Sequence, residues 1–133
     1  IEKDDIEGKY DLIILSNILE HLKAPLEIIL KIKKNLKKNG HLLIAIPNIA
    51  FWQVRRDLLF GKFKYQKEGI LNEEHLRFYT YKTFTNLLSE AKLKIIETQT
   101  NYQGWRAFIA DFWPTMLASQ FIILCQPPVF LKE

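Results

Sequence analysis

Polar side chains suited to proton transfer follow an apolar run near the start of the chain. The run Tyr10–Ser16 reads YDLIILS, and Asn17, Glu20 and His21 come directly after it. Histidine is the side chain that most readily takes up and releases a proton near neutral pH. The sequence therefore indicates a candidate general base within a few residues of the end of this run.

Two further polar groups could reach the same place. Asn48 follows a second apolar run, HLLIAIP, and His75 lies in a third group, EEHLR, within a segment that has no regular period. In open parallel α/β sheets, ligands lie beyond the carboxyl ends of the strands. If both apolar runs are strands, all three polar groups could converge on one cleft.

The elements that must position these groups form a strand, helix, strand unit. A short isoleucine-rich run such as Tyr10–Ser16 is typical of a strand buried on both faces of a parallel sheet. Pro25 can open a helix, which we expect over 25–38 with Gly40 as its C-terminal cap. A strand at 41–47 then completes a βαβ unit whose two strands are parallel.

The rest of the chain continues this α/β pattern. A helix over 49–60 should be capped by Asn48, and a second helix should be capped by Thr80 after an irregular segment at 61–79. We expect strands at 92–98 and Gln120–Gln126. The segment 102–117 should be partly helical, with Pro114 breaking or ending the helix.

Composition limits the classes of function. The chain has 133 residues, of which 48% are hydrophobic and 26% charged, as in one globular domain. The net charge of +4 owes much to lysines at 31–38 that alternate with isoleucines at helical spacing, so we expect a solvated helix face and no nucleic-acid partner. The single cysteine, Cys125, fits a cytoplasmic location. No run is long and apolar enough to predict a membrane span, and no two glycines form a phosphate-binding GxG loop.

Several runs resemble signature segments of class I S-adenosylmethionine-dependent methyltransferases. YDLII and LEHL resemble the FDvI…LEHL signature, and KKNGHLLIAIPN resembles the family's LkpGG.l.i.iPN strand. LLFGKFKYQKEGILNEEHLRFYT is similar to the LL.G.F.Y…G.LD.tHlRFFT segment of one subgroup. LLSEAKLKIIE and SQFIILCQPP are similar to later elements, so the resemblance runs in order over 11–128.

The resemblance implies a partial Rossmann-like α/β sheet. The family's order would place the strands as 4-5-7-6 with the last strand antiparallel, while strands 1–3 and the glycine-rich loop would precede Ile1. Residues 1–133 would then be a single incomplete domain, the C-terminal half of a methyltransferase domain, and inactive when isolated. Its first strand would be central in the intact enzyme and would pair outside these residues.

The resemblance also implies a reaction. The intact enzyme would transfer a methyl group from S-adenosylmethionine to an oxygen or nitrogen of a small-molecule acceptor. Relatives with a segment similar to HLRFYT often accompany sugar or cell-envelope biosynthesis, so such precursors are candidate acceptors. His21 or His75 is the expected catalytic base; the alternative is that both residues order the loops around the cleft.

The binding residues follow from the same resemblance. The expected cofactor-binding residues are Ser16, Asn17, Ile18 and Glu20. The expected substrate-binding residues are Asn48, Trp52, Arg77 and Tyr79. Several aromatic residues could form the wall of an acceptor pocket or could instead belong to the core, namely Phe51, Trp52, Tyr65, Phe78, Tyr79, Tyr102 and Trp105.

Other interpretations remain open. Some relatives bind a divalent ion through an ExxEH helix and a later histidine; with Asn17 at the first acid position only three ligands remain, and we expect no metal. A different class of function is a non-catalytic module that pairs through its open sheet edge. An unpaired first strand could also support a homodimer.

Overall fold

The computed structural model describes residues 6–101 and 113–128. A single turn of 3-10 helix at Leu19–His21 follows the first strand. The remaining elements, in chain order, are β1 (Tyr10–Ser16), α1 (Pro25–Lys33), β2 (Leu36–Pro47), α2 (Trp52–Leu59), α3 (Tyr81–Glu90), β3 (Lys94–Thr100), α4 (Pro114–Leu117) and β4 (Gln120–Gln126).

The four strands form one mixed sheet in the order β1-β2-β4-β3. β1 and β2 are parallel, and β4 is antiparallel to both β2 and β3. This confirms the order and the antiparallel last strand that the family resemblance implied. Because β4 runs in the opposite direction, its first residue, Gln120, pairs with Pro47 at the end of β2. The carboxyl ends of β1 and β2 and the start of β4 therefore share one edge of the sheet.

One hydrophobic core holds the sheet and helices together. Alternate residues of β2 and β4 are buried, among them Ile44 and Ile123. Ile29 of α1 and the side chains of Phe84 and Leu88 of α3 belong to the same core. Within the described residues, no helix combines the length and hydropathy needed to cross a bilayer.

The burial of β1 differs from the burial that we expected. We expected both faces of this strand to be buried, but Tyr10, Leu12 and Ile14 are 43%, 47% and 56% exposed, and only Leu15 is buried. The reason is that β1 is an outer strand of the sheet, and among the described residues only β2 pairs with it. No described strand pairs with its other edge, and one of its faces is exposed.

The helix boundary before β2 was also predicted wrongly. α1 ends at Lys33, and the strand begins at Leu36 rather than at residue 41. Gly40 is therefore a buried strand residue and not a helix cap. A Cβ on Gly40 would lie 2.8 Å from the Tyr10 carbonyl oxygen, so glycine permits the close approach where the β1–β2 register shifts.

The later helices show one error and one confirmation. α2 begins at Trp52 and has no side-chain cap, so Asn48 does not cap it. Thr80 caps α3 as expected, through a reciprocal capping box with Thr83. The segment 61–79 contains no helix or named strand.

The last elements shift slightly from their predicted positions. β3 begins at Lys94 rather than at residue 92, because Lys92 has a φ of +54° and forms a turn. Pro114 is the first residue of α4, a position that proline favours. The predicted helix over 102–117 otherwise lies largely outside the described residues.

Candidate active site

A cavity of about 440 Å³ lies at the shared edge of the sheet. β1 and the turn after it contribute Asn17, Glu20 and His21, and the irregular segment contributes His75. The remaining lining residues are Pro47, Glu68, Gly69, Ile70, Asn72, Ser119 and Gln120. The structure thus brings the first and third polar groups of the sequence together, whereas Asn48, from the second group, does not line this cavity.

Glu20 is the most unusual side chain in this cavity. It is only 1% exposed, and neither carboxylate oxygen has a hydrogen-bond partner among the described residues. Burial raises the pKa of Glu20 above its usual value, while its own backbone N–H, His75 and His21 act in the opposite direction. Burying a carboxyl group without a hydrogen-bond donor lowers the stability of the folded state. The described residues supply no such donor to the Glu20 side chain.

The two histidines lie close to this carboxylate, and their Nδ1 atoms are hydrogen-bonded in the same way. The Nδ1–H of His75 donates to the Ile70 carbonyl oxygen at 3.0 Å, and the Nδ1–H of His21 donates to the Glu74 carbonyl oxygen at 3.1 Å. A carbonyl oxygen can only accept, so each neutral ring carries its lone pair on Nε2. His75 Nε2 lies 3.9 Å from Glu20 Oε1, and the two imidazole rings meet edge to face at 4.8 Å.

Backbone hydrogen bonds hold the irregular segment against the first polar group. The Glu20 carbonyl oxygen accepts from the backbone N–H groups of Leu76 (2.8 Å) and Arg77 (3.0 Å). This contact anchors the chain next to His75 and fixes the spacing of the two histidines. An ordering role for these loops and a chemical role for the imidazoles are therefore compatible.

The loop after β1 turns sharply at Asn17. Asn17 has a φ of +50°, a left-handed conformation that asparagine tolerates better than most residues. Its Oδ1 accepts a hydrogen bond from Gln120 Nε2 at 2.8 Å, and its N–H donates to the Ala45 carbonyl oxygen at 3.1 Å. Ser16 precedes this turn with an exposed side chain, whereas Ile18 packs against the core.

A second cavity of about 350 Å³ adjoins the first. The two share Gly69, Ile70 and Ser119 as lining residues. The second cavity is otherwise lined by aromatic, aliphatic, amide and carboxylate side chains, namely Phe51, Gln53, Val54, Asp57, Gln66, Leu71, Asn101 and Leu117. Two adjoining spaces at one sheet edge can accommodate two ligands.

The four residues expected to bind substrate do not line the histidine cavity. Asn48 is fully buried, and its amide bonds to the carbonyl oxygens of Thr115 and Ala118 and to the Ala50 N–H. Trp52 lies on α2 with the Arg56 guanidinium 5.2 Å from its ring centre.

The other two line a groove between α1 and α3 instead. The Arg77 guanidinium donates to the Lys23 carbonyl oxygen at 2.7 Å. The Tyr79 ring is 9% exposed and packs on Phe84, and burial raises the pKa of its hydroxyl. Among the aromatic residues considered for the acceptor pocket, Tyr102 and Trp105 lie outside the described residues.

Sequence reasoning missed Gln120, Ser119 and Asn72 as cavity residues. Gln120 could have been found, because an antiparallel last strand must start at the edge where β1 and β2 end. No pattern in the sequence indicated that Asn72 would line the cavity. Its Oδ1 accepts from the Glu74 N–H at 2.8 Å, which shapes the turn that presents the Glu74 carbonyl oxygen to His21.

The same cluster contains the donor atoms of a potential metal site. Ligand atoms of Glu20, His21 and His75 lie within 4.8 Å of one another. One carboxylate and two imidazoles suit several divalent cations. Three protein ligands would leave coordination positions for water or substrate.

The chain matches a methyltransferase family model in sequence and solved methyltransferase structures in fold. A family model described as a methyltransferase domain matches residues 2–98, which is more than half of the chain. No curated protein sequence matches significantly.

Solved structures share the fold at low identity. Magnesium protoporphyrin IX methyltransferase from Synechocystis PCC 6803 with bound SAH is 12% identical with a TM-score of 0.60 over 92% of this chain. An S-adenosylmethionine-dependent methyltransferase from Clostridium acetobutylicum ATCC 824 is 13% identical (TM-score 0.62, 94% of this chain), and the small RNA methyltransferase HEN1 is 16% identical (TM-score 0.63, 95%). The chain spans 47%, 61% and 15% of the lengths of these three proteins.

The model match, the predicted strand order and the sheet-edge cavity agree with one another. The sheet order β1-β2-β4-β3 with an antiparallel β4 is the one that the resemblance implied. The chain belongs to the methyltransferase domain family.

Proposed function

We propose that the protein containing this chain transfers a methyl group from S-adenosylmethionine to an oxygen or nitrogen of a small-molecule acceptor. The observation that carries the proposal is the cluster of two imidazole Nε2 atoms and a buried carboxylate, which has no hydrogen-bond partner among the described residues, at the carboxyl edge of a methyltransferase sheet. When bound, S-adenosylmethionine supplies a methyl group on a positively charged sulfur. The acceptor atom displaces the thioether and loses its proton.

The proton acceptor is an imidazole of this cluster. Both His21 and His75 carry the Nε2 lone pair, because each Nδ1–H is committed to a carbonyl oxygen. His75 is the stronger candidate, since Glu20 Oε1 lies 3.9 Å from its Nε2 and would stabilise the imidazolium that forms. His21 then orders the loop and completes the cavity wall.

The loop after β1 is proposed to hold the cofactor. Ser16 and Asn17 are exposed at the strand's carboxyl end, and Gln120 fixes the Asn17 side chain. Ile18 packs from this loop into the core, and the Glu20 backbone joins it to the irregular segment. The adjoining cavity, with Gln53, Gln66 and Asn101, offers amide groups to a polar acceptor such as a sugar or a cell-envelope precursor.

A labelled-methyl assay tests the proposed base. The full protein is incubated with methyl-tritiated S-adenosylmethionine and candidate acceptors, and the label in the small-molecule fraction is measured. We expect His75→Ala to lower kcat by about 10²- to 10⁴-fold with little change in cofactor affinity. His41→Ala is the matched control, since His41 pairs with Leu12 within the sheet, away from the cavity. If His21→Ala and His75→Ala both turn over like His41→Ala, neither histidine is the base.

We also propose that β1 becomes an inner strand in the functional protein. Tyr10, Leu12 and Ile14 expose large apolar side chains beside an edge that β2 leaves unpaired. Long apolar edge strands invite a further strand. The 133-residue chain should then bind S-adenosylmethionine weakly or not at all, and micromolar binding by titration calorimetry would contradict this half-domain proposal.

The rival proposal is a non-catalytic module that pairs through the same edge, for example as a homodimer. The two proposals differ in their requirement for His75. A module would keep its association when His75 is replaced and would transfer no label. An enzyme would lose transfer on that replacement while its oligomeric state stayed the same.

A metal-assisted version of the reaction is a second candidate, favoured by the spacing of Glu20, His21 and His75. The donor atoms lie within 4.8 Å of one another, and within the described part of the chain the carboxylate oxygens accept no hydrogen bond. Calorimetry of the full protein with Mg²⁺, Mn²⁺ and Zn²⁺ tests it. Stoichiometric binding that is lost in His21→Ala and kept in His41→Ala would support a metal site, and equal binding by both variants would refute it.

A further inference from the structure

A basic and apolar surface lies beside the second cavity. We call residues 55–67, RRDLLFGKFKYQK, the basic-apolar segment. Five of its large apolar side chains are strongly exposed: Leu58 50%, Leu59 82%, Phe60 70%, Phe63 47% and Tyr65 53%. Scattered exposed apolar residues are normal, but a run of this density on one short stretch indicates an interaction surface.

The end of α2 places these side chains together. The Phe60 N–H bonds to the Arg56 carbonyl oxygen, and Gly61 and Lys62 bond back to Leu58 and Asp57. Gly61 has a φ of +67°, and a Cβ there would meet nothing within 4 Å, so this position of the turn faces open space. The Phe63 and Tyr65 rings meet edge to face at 5.2 Å.

Cations surround the apolar side chains. Arg55, Arg56, Lys62, Lys64 and Lys67 are all exposed. Arg56 pairs with Asp57 at 2.8 Å, and within residues 6–101 and 113–128 no ion pair involves the other four. Arg55 also donates from Nε to the Ala50 carbonyl oxygen at 2.6 Å. A surface that offers both exposed rings and exposed cations is complementary to an anionic lipid headgroup layer above an acyl region.

The segment also frames the second cavity. Asp57 and Gln66 both line that cavity, and the exposed run lies between them in the chain. A membrane against the basic-apolar segment would therefore lie next to the space assigned to the acceptor.

We propose that the basic-apolar segment docks the protein on an anionic membrane surface, with Leu59 and Phe60 inserted at the interface and the lysines on the headgroups. This inference does not depend on methyl transfer. A nucleic acid would use the cations but would leave Leu58, Leu59 and Phe60 in water. A second copy joined through the same surface would bring two sets of like charges together.

Vesicle co-sedimentation of the full protein tests the proposal. We expect binding to phosphatidylcholine vesicles that contain phosphatidylglycerol, weaker binding as salt rises, and little binding to phosphatidylcholine alone. Leu59→Asp/Phe60→Asp should weaken partitioning by at least about tenfold. Replacing Lys62, Lys64 and Lys67 by alanine should weaken it by about fivefold per lysine and reduce its salt dependence.

Matched variants on another surface serve as controls. Ile96→Asp removes an apolar side chain that is 45% exposed on β3, and Lys82→Ala/Lys94→Ala removes two exposed lysines. Both should bind vesicles like the unchanged protein. Leu59→Ser/Phe60→Ser provides a second, uncharged variant, which should also lose binding if insertion is required.

Three results would overturn the proposal. The first is that the protein does not sediment with anionic vesicles. The second is that it does sediment, and that neither Leu59→Asp/Phe60→Asp nor Leu59→Ser/Phe60→Ser reduces the sedimented fraction. The third is a protein that does not bind vesicles but forms a dimer, or a complex with a single-stranded RNA probe, that the Leu59 and Phe60 variants or the lysine variants disrupt.

Discussion

Glu20 and Asn48 are both buried polar residues near the same edge of the sheet, but their surroundings differ. Asn48 bonds through its amide to two carbonyl oxygens and one backbone N–H, at 2.6, 2.8 and 3.0 Å. Glu20 is equally buried, and its carboxylate has no hydrogen-bond partner among the described residues. The hydrogen bonds of Asn48 are therefore satisfied by the fold, whereas Glu20 has the kind of unsatisfied buried carboxylate that is common at functional sites, which is why we propose a chemical role for it.

The largest effect on stability is expected from a substitution at Asn48. Asn48→Leu should lower the free energy of unfolding by about 3 kcal/mol, because the Thr115 and Ala118 carbonyl oxygens and the Ala50 N–H lose their partner. Denaturant melts monitored by circular dichroism measure the change. Asn39→Leu is the control, since Asn39 is exposed on β2, and it should change the value by less than about 0.5 kcal/mol. Equal effects of the two substitutions would show that Asn48 is not a structural residue.

Glu20, unlike Asn48, should make the stability of the protein depend on pH. Its folded pKa is raised, so the folded state binds the proton more tightly than the unfolded state does. Stability should therefore fall as pH rises above the usual carboxyl pKa, with a slope of up to about 1.4 kcal/mol per pH unit, until the raised folded pKa is passed.

Glu20→Gln tests that dependence directly. The variant should lose this part of the pH dependence and be at least as stable as the unchanged protein at neutral pH. Unfolding is measured across pH in chelator-containing buffer, so that no cation contributes. A stability curve for Glu20→Gln that overlays that of the unchanged protein would contradict the account.

The smallest expected effect concerns the loop after β1. Gln120→Ala removes the 2.8 Å bond to Asn17 and should cost about 1 kcal/mol or less, since both residues are partly solvated. Its larger consequence should be a higher KM for S-adenosylmethionine with a similar kcat. Gln126→Ala, at the far end of β4, should leave KM unchanged. A raised KM in both variants would point to a general effect on the strand.

The sequence predicted those elements whose signals are local. Tyr10–Ser16, Gln120–Gln126 and the helix capped by Thr80 were predicted correctly, because apolar runs and capping residues act within a few positions. The start of β2 was missed because Lys37, Lys38 and Asn39 are exposed there and read as the polar end of a helix.

The site was predictable only in part. The rule that ligands lie beyond strand ends located Asn17, Glu20 and His21, which line the cavity at that edge. His75 lies in the irregular segment and not at a strand end, so its contact with His21 was expected as a possibility but did not follow from that rule. Arg77 and Tyr79, close to His75 in sequence, were expected in the same cleft. Their side chains instead line the groove between α1 and α3. An irregular segment has no repeating pattern of side-chain directions, so the side of the chain on which each residue lies could not be predicted from the sequence.

The most direct test of the central claim follows the histidines by NMR. Imidazole signals of the full protein are recorded while S-adenosylhomocysteine is added, with assignments from His21→Gln, His41→Gln and His75→Gln. If the cluster at the sheet edge is the methyl-transfer site, the signals of His21 and His75 shift with a common saturation curve and that of His41 stays unchanged. Saturable binding that moves neither His21 nor His75 would contradict the account.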